Sequence, residues 1–128
     1  MNYHSIIRQN EKEIVRLSAR INDTFNVKNK KEEWSAACNE FHTKYNYLCF
    51  LNGVLDYRSE LRSGNQDAIE YAISFVEVRP YFFRSGYIFQ DLIRVLKQIP
   101  MSKNHKERYE RVRTRYLDYL KENKIKKR

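Results

Sequence analysis

The scarcity of residues that break helices is the feature that most limits how this chain can fold. Only three glycines and two prolines occur among 128 residues, far fewer than a protein with many β-turns requires. Between these breaks, apolar residues recur at spacings of three and four, which is the pattern of amphipathic helices. We therefore predict an all-α fold of five or six helices packed as consecutive antiparallel hairpins. The two arrangements considered are a HEAT- or armadillo-like stack and an orthogonal bundle.

The apolar stripes indicate where the first three helices lie. The first helix is predicted from Tyr3 to about Asn22, and a polar loop follows at residues 26–33. The cleanest stripe comes next and consists of Trp34, Ala37, Cys38, Phe41, Tyr45, Leu48 and Cys49. After a break at Asn52–Gly53, a short helix is predicted at Val54–Arg62, and Ser63–Gly64 is expected to end it.

The fourth helix is predicted to be the most buried element. Asn65 or Asp67 can cap its start, and apolar residues from Ala68 to Val78 cover most of its circumference. Two amphipathic helices follow, of which one ends at Pro100 and the other begins near Ser102. The inward stripe of this last helix is predicted to be Tyr109, Val112, Tyr116 and Leu120.

The stretch from Glu77 to Ile88 holds the densest run of aromatic residues. Because Pro80 disfavours helical backbone at Arg79, the fourth helix is predicted to end there. Four rings then follow within seven positions, namely Tyr81, Phe82, Phe83 and Tyr87. They are too many for one helix face, which predicts a packed corner between helices. Ser85 is predicted to cap the next helix, and Gly86 allows a close approach of other groups.

Arg84 lies among these rings and has two interpretations. It either stacks on a ring or pairs with Glu77 in a packed corner, or it grips an anion at the helix start near Ser85. Arginine and tyrosine are frequent in binding interfaces. The candidate binding residues of this stretch are Arg79, Tyr81, Arg84 and Tyr87.

The net charge of +9 is unevenly placed. Residues 1–93 contain 12 Lys/Arg and 12 Asp/Glu, whereas residues 94–128 contain 13 and 4. A basic ridge is predicted on the outer flank of the last helix, formed by Arg108, Arg111 and Arg115. Tyr119 is predicted to be exposed beside it, and residues 124–128 are predicted to be a frayed basic tail. This excess of cations implies an acidic partner, namely an acidic protein, nucleic acid or membrane surface.

The sequence contains none of the common signatures of an enzyme or a metal site. No glycine-rich phosphate loop, HExxH or CxxC pattern or catalytic-triad motif occurs, and no cofactor is predicted. Cys38 and His42 share one helix face, but no second pair of metal ligands accompanies them. We interpret Cys38 and Cys49 as small buried residues, too far apart for a disulfide, and His42 as a hydrogen-bonded structural histidine.

The length of the chain predicts one helical domain over residues 1–128. No apolar run approaches the roughly 18 residues needed to cross a bilayer, and the first residues are too polar for a signal peptide. We therefore expect a cytoplasmic protein that is a monomer or a homodimer and has no membrane partner.

Two stretches carry a pattern that can be compared with other proteins. In Trp34–Gly53 the pattern consists of Trp34, Phe41, His42, Tyr45, Leu48, Phe50 and Gly53, and in Phe75–Ser102 it consists of RPYFFRSGY at Arg79–Tyr87 together with Pro100. In these residues the chain resembles a family of small bacterial helical proteins, from which it departs at Leu51–Asn52, where Pro-Gly is commoner. The resemblance implies an all-helical fold. It also suggests an association with bacterial competition loci, in which an immunity protein binds and blocks a toxin.

The favoured functional hypothesis is a non-enzymatic binding protein, most concretely an immunity protein that neutralises a cognate toxin through the toxin's acidic surface. The alternative is a nucleic-acid-binding protein that uses the C-terminal basic helix, for which phosphate contacts imply steep salt dependence. An enzyme is the least supported class, because no catalytic motif is present.

Overall fold

Six α-helices make up most of the chain in a computed structural model that describes residues 2–50 and 56–126, with side chains to Lys124. The helices are α1 (Tyr3–Thr24), α2 (Lys31–Leu48), α3 (Tyr57–Arg62), α4 (Gln66–Val78), α5 (Ser85–Gln98) and α6 (Lys103–Lys126). No strand occurs in these two ranges, so the predicted all-α class is confirmed. Three predicted features lie outside the described residues: the break at Asn52–Gly53, the start of α3 at Val54 and the last two residues of the tail.

Side chains cap four of the helices at their first turn. Asn2 accepts a hydrogen bond from the Ser5 N–H at the start of α1, and Asp56 does the same for Ser59 at α3. The predicted caps Asn65 and Ser102 are confirmed, since their oxygens accept from backbone N–H groups at 3.1 and 3.2 Å. These bonds satisfy amide donors that have no partner within the helix.

Helix α4 is the centre of the fold, as its continuous apolar sequence predicts. It packs against α1, α3, α5 and α6, and every residue from Ala68 to Val76 except Glu70 is buried. A second, smaller core lies between α1 and α2 and contains Ile14, Leu17 and Phe41. Helix α4 is thus the scaffold for α1, α3, α5 and α6, whereas α2 packs on α1.

The aromatic corner between α4 and α5 joins the two cores through Phe82. The prediction that all four rings pack between helices is wrong for Tyr81, Phe83 and Tyr87, which are more than half exposed because the short corner can insert only one ring between the cores. The Phe82 ring packs against both clusters and meets the Phe75 and Tyr45 rings edge-on. The Phe83 ring lies against Phe41, and the backbone carbonyl of Phe83 accepts a 2.6 Å hydrogen bond from the Tyr45 hydroxyl. These contacts hold the short connection between α4 and α5 against α2.

The start of α5 differs by one residue from the prediction. Ser85 is the first helical residue instead of the cap, and Arg84 precedes it in a left-handed conformation with φ 67°. The buried Ser85 hydroxyl accepts a hydrogen bond from the Phe82 N–H at 3.0 Å, so it closes the corner. Two residues with positive φ, Arg79 and Arg84, therefore bracket the turn, because a tight reversal needs that backbone geometry.

The C-terminal part of helix α6 extends beyond the hydrophobic core. Tyr109 and Val112 are buried and Tyr116 packs on the core, but Leu120 is exposed, so the predicted inward stripe is wrong at that residue. The backbone is helical to Lys126, which corrects the prediction that the tail frays from residue 124.

The cysteines and His42 have less buried positions than predicted. Cys38 and Cys49 are free thiols and only half-buried, and burial raises the pKa of Cys49. His42 is exposed at the edge of the Phe41 ring, because it lies beside the stripe that packs on α1. Within the described ranges, no cluster of three metal-ligating side chains occurs, and no helix is long and apolar enough to span a bilayer.

Candidate functional site

A cleft of about 380 Å³ opens where α4 ends, between the aromatic corner and α6. Its walls come from the last turn of α4, the corner, the first turns of α5 and the middle of α6. The lining residues are Val76, Glu77, Arg79, Tyr81, Phe89, Val112, Arg115, Tyr116 and Tyr119. The fold thus gathers four of the eight binding residues predicted from sequence, and we refer to this site as the Arg79 cleft.

Arg79 occupies the position at which α4 ends, as Pro80 dictates. Its N–H donates to the Phe75 carbonyl at 2.8 Å, and its φ of 52° is left-handed. This conformation costs a residue with a Cβ about 1 kcal/mol or more, which is why glycine is usual at such a helix end. An arginine at this strained position points to a role for its side chain.

The Arg79 guanidinium is held between two aromatic rings. Its central carbon lies 4.7 Å from the centroid of Tyr81 and 4.5 Å from that of Phe89. Nη1 donates a hydrogen bond to the Pro80 carbonyl at 3.2 Å. Nη2 packs close to Gly86, where an added Cβ atom would lie 3.8 Å from it. The rings and the small Gly86 therefore hold the orientation of the group, while other N–H donors stay available to a ligand.

A second arginine near the cleft is neutralised inside the protein. Arg108 bonds the Glu77 carboxylate at 2.7 and 3.1 Å, the Glu70 carboxylate at 2.8 Å and the Ser74 hydroxyl at 3.4 Å. The prediction that Arg108 lies on an outer flank is therefore wrong. The acidic residues of α4 draw it inward, because their partly buried carboxylates require a cation.

The carboxylates of this network stay ionised. Hydrogen bonds from Arg108 lower the pKa of Glu70 to about 2. Burial acts to raise the pKa of Glu77, but hydrogen bonds from Arg108 and from His4, whose Nε2 lies 3.0 Å from the carboxylate, outweigh it and lower the pKa. Although Glu77 lines the Arg79 cleft, its charge is already compensated by Arg108, with His4 as a second hydrogen-bond partner.

The cations of the Arg79 cleft have no such compensation. Among residues 2–50 and 56–124, no carboxylate oxygen lies within 4 Å of the guanidinium nitrogens of Arg79 or Arg115. Tyr116 meets the Phe89 ring edge-on at 5.2 Å and forms the floor, and the exposed Tyr119 stands at the mouth. The cleft therefore combines uncompensated positive charge with aromatic walls.

The other predicted binding residues lie elsewhere. The exposed Arg84 stacks on the Phe83 ring at 5.2 Å, as one interpretation predicted, whereas Glu77 pairs with Arg108 and His4 instead. Tyr87 is 76% exposed and shares a separate depression with Arg84. Arg111 lies on the exposed flank of α6 with Lys103 and Lys106, together with Glu107 and Glu110. The structure does not bring these residues into the Arg79 cleft.

Sequence reasoning missed two components of the site. Phe89 is one ring of the arginine sandwich, but its helical spacing assigned it to the core stripe of α5. Arg108 was assigned to the surface, because a helical wheel contains no information about acidic residues on another helix. The signal for an inward-facing cation was present in α4, because Glu70 and Glu77 are seven positions apart and therefore lie on one face of that helix.

No protein-family model, curated protein or solved structure shows a significant match to this chain. The family resemblance in Trp34–Gly53 and Phe75–Ser102 thus stays a prediction.

Proposed function

We propose that this chain is a non-enzymatic binding protein and that its Arg79 cleft receives acidic side chains of a protein partner. The observation that carries the proposal is the Arg79 guanidinium, which is stacked between two rings and has no carboxylate within 4 Å in the described part of the chain. Preorganised arginine loses little side-chain entropy on binding and can bond a carboxylate with two parallel N–H groups.

The composition of the cleft fits a protein ligand. Tyr81 and Tyr119 are exposed at its rim and Arg115 adds a second cation. Arginine and tyrosine together dominate the energetics of protein interfaces, since each joins a large contact area to a polar group. A glutamate or aspartate of the partner that enters the cleft would meet the Arg79 guanidinium, and Arg115 in the same lining favours its negative charge.

We further propose that the partner is a toxin and that this chain confers immunity by direct binding. This part of the proposal rests on the family resemblance alone. The second of the two resembling stretches, Phe75–Ser102, contains Arg79, Tyr81 and Phe89 of the cleft. A toxin recognised in this way presents an acidic surface.

Two glycine variants test the role of Arg79 with a matched control. Arg79→Gly and Arg84→Gly each remove an arginine that has positive φ, so their effects on the backbone are comparable; Arg79 stacks on two rings and Arg84 on one. Each variant is expected to change the free energy of unfolding by less than about 1 kcal/mol, because relief of backbone strain offsets the lost stacking.

Binding is measured by fluorescence anisotropy with a labelled peptide of alternating Glu and Gly, and with its Gln-Gly counterpart. We expect the acidic peptide to bind more tightly than the neutral one, and Arg79→Gly to weaken that binding about tenfold. Arg84→Gly is expected to change it less than about twofold. An equal loss in both variants, or equal affinity for both peptides, contradicts a specific acidic site at Arg79.

Nucleic-acid binding is the second candidate function. It is favoured by the exposure of Lys103, Lys106 and Arg111 along one flank of α6. Two features weaken this basic ridge: Arg108 is bound to the carboxylates of α4, and Glu107 lies on the same flank. The test is binding of generic RNA or DNA at two salt concentrations. This function is supported over the first if the affinity falls steeply with salt and is reduced in Arg111→Ala but not in Arg79→Gly.

A further inference from the structure

Helix α6 carries an apolar face beyond the body of the protein. From Leu117 to Lys124 every side chain is exposed except that of Asn123, which is half-buried. The backbone continues as helix to Lys126, about 15 Å past Tyr116 at 1.5 Å per residue. The side chains from Leu117 to Lys124, apart from that of Asn123, thus remain accessible to a partner.

This face continues the stripe by which α6 packs on the core. Tyr109, Val112 and Tyr116 contact the core, and at 100° per residue Tyr119 and Leu120 lie within about 60° of Tyr116. Leu117, at the edge of this face, is 41% exposed, Leu120 is 43% exposed and Tyr119 is 57% exposed. The spacing i, i+3, i+4 is the pattern by which one helix packs against another.

The apolar face also adjoins the Arg79 cleft, because Tyr116 and Tyr119 belong to both. At that junction lie Arg79 and Arg115, and on the same turns of α6 Arg113 has only a loose contact with Glu110 at 3.9 Å. One continuous surface therefore starts as a cationic cleft and continues as an apolar helix face. We refer to this surface as the α6 groove.

We infer that the α6 groove binds an amphipathic helix of the partner, whose apolar side lies on Leu117 and Leu120 and whose acidic end enters the Arg79 cleft. This inference rests on the proposed function and specifies the partner segment. A helix offers apolar residues at the matching spacing and satisfies its own backbone groups, so its docking needs no edge or loop from this chain.

Charge distinguishes this occupant from a second copy of the chain. Arg113 and Lys124 lie in line with Leu117 and Leu120 at helical spacing, so two copies docked through this face would bring like charges together, which opposes association. The exposed leucines distinguish it from a nucleic acid, whose phosphates and sugars would leave Leu117 and Leu120 without an apolar partner. A protein helix that carries apolar residues on one face and acidic residues at one end and beside that face can pair with the leucines and with the cations.

The test uses a labelled peptide of about 18 residues with Leu on one face, Glu at one end and mixed Lys and Glu elsewhere. A scrambled peptide of the same composition and a version with two central prolines remove the helical face without changing the charge. Binding to the full chain is measured by fluorescence anisotropy, and sedimentation velocity of the chain alone measures self-association.

We expect the helical peptide to bind at least about tenfold more tightly than either control peptide. The double variant Leu117→Ser/Leu120→Ser is expected to remove this advantage. The matched variant Val15→Ser/Val27→Ser, which changes two similarly exposed aliphatic residues outside α6, is expected to alter affinity less than about twofold. Circular dichroism of each variant shows whether the helical fold is retained.

Four results overturn the inference. Equal affinity for the helical and scrambled peptides shows that only charge is recognised, and in that case the Glu-Gly peptide still binds through Arg79 and the proposed function survives. An unchanged preference for the helical peptide in Leu117→Ser/Leu120→Ser places the helix elsewhere. If the chain forms a dimer and Leu117→Ser/Leu120→Ser abolishes that dimer, the face belongs to a second copy. Failure of both the Glu-Gly and helical peptides to bind refutes the proposed function as well.

Discussion

Replacement of Arg108 by alanine tests the connection between α4 and α6 on which the cleft depends. The Arg108 side chain is 18% exposed and bonds two carboxylates, Glu70 and Glu77, and the Ser74 hydroxyl. Its removal leaves both carboxylates partly buried and without their main cation. The matched control is Arg111→Ala, since Arg111 is one turn further along the same helix but exposed.

The magnitude follows from the burial of the network. Removal of one partner of a fully buried ion pair costs about 3–5 kcal/mol, whereas an exposed pair contributes about 0–1 kcal/mol. Because Glu70 and Glu77 are 36% and 25% exposed, we expect Arg108→Ala to reduce the free energy of unfolding by about 2–3 kcal/mol. For a domain of this size that corresponds to a fall in Tm of roughly 7–12 °C. Arg111→Ala is expected to lower Tm by less than about 2 °C.

The assay is thermal and urea unfolding followed by circular dichroism at neutral pH. A third variant, Arg108→Met combined with Glu70→Gln and Glu77→Gln, removes the charges together, and we expect it to recover part of the lost stability. Equal effects of Arg108→Ala and Arg111→Ala would refute the argument, because Arg108 would then lie on an outer ridge in solution. An Arg108→Met triple variant as unstable as Arg108→Ala would show that packing, and not charge, is responsible.

Two further stability predictions follow from the described geometry. Since the pKa of Glu70 is lowered from 4.5 to about 2, its ionised form stabilises the fold above pH 4.5, and this contribution is lost as the pH falls towards 2. With screening of its partly exposed carboxylate taken into account, the loss is about 1–2 kcal/mol, and urea titrations at several pH values should show it in the wild type but not in Glu70→Gln. Gly64 ends α3 with φ +85°, so Gly64→Ala should destabilise the protein by about 1 kcal/mol although its Cβ meets no atom within 4 Å. An unchanged urea midpoint in Gly64→Ala would contradict that cost of left-handed backbone.

Local signals in the sequence were sufficient for most of the fold. The caps Asn65 and Ser102, the end of α4 before Pro80 and the burial of α4 all follow from residues within a few positions of the feature concerned. Such features depend on backbone hydrogen bonds and on one helix face at a time. They could therefore be predicted without knowledge of the neighbouring helices.

The candidate site could be predicted only in part. The dense aromatic stretch correctly pointed to Arg79 and Tyr81, but the sequence favoured no partner for Arg79 and placed Arg108 on the surface. The position of Arg108 depends on Glu70 and Glu77, which are more than 30 positions away along the chain. A helical wheel ranks faces by apolar content and therefore fails where an ion pair draws a charged residue inward.

The sequence by itself determined that this protein is helical, that its helices change direction at Pro80 and that its positive charge is concentrated in the last quarter. These properties follow from composition, local backbone preference and simple counting. Only the tertiary structure decided which cations are available to a ligand, because it places Arg108 among carboxylates and leaves Arg79 stacked between Tyr81 and Phe89. The reason is physical: the strength of a charge as a binding group depends on its neighbours in space, and the contacts between α4, α5 and α6 select those neighbours.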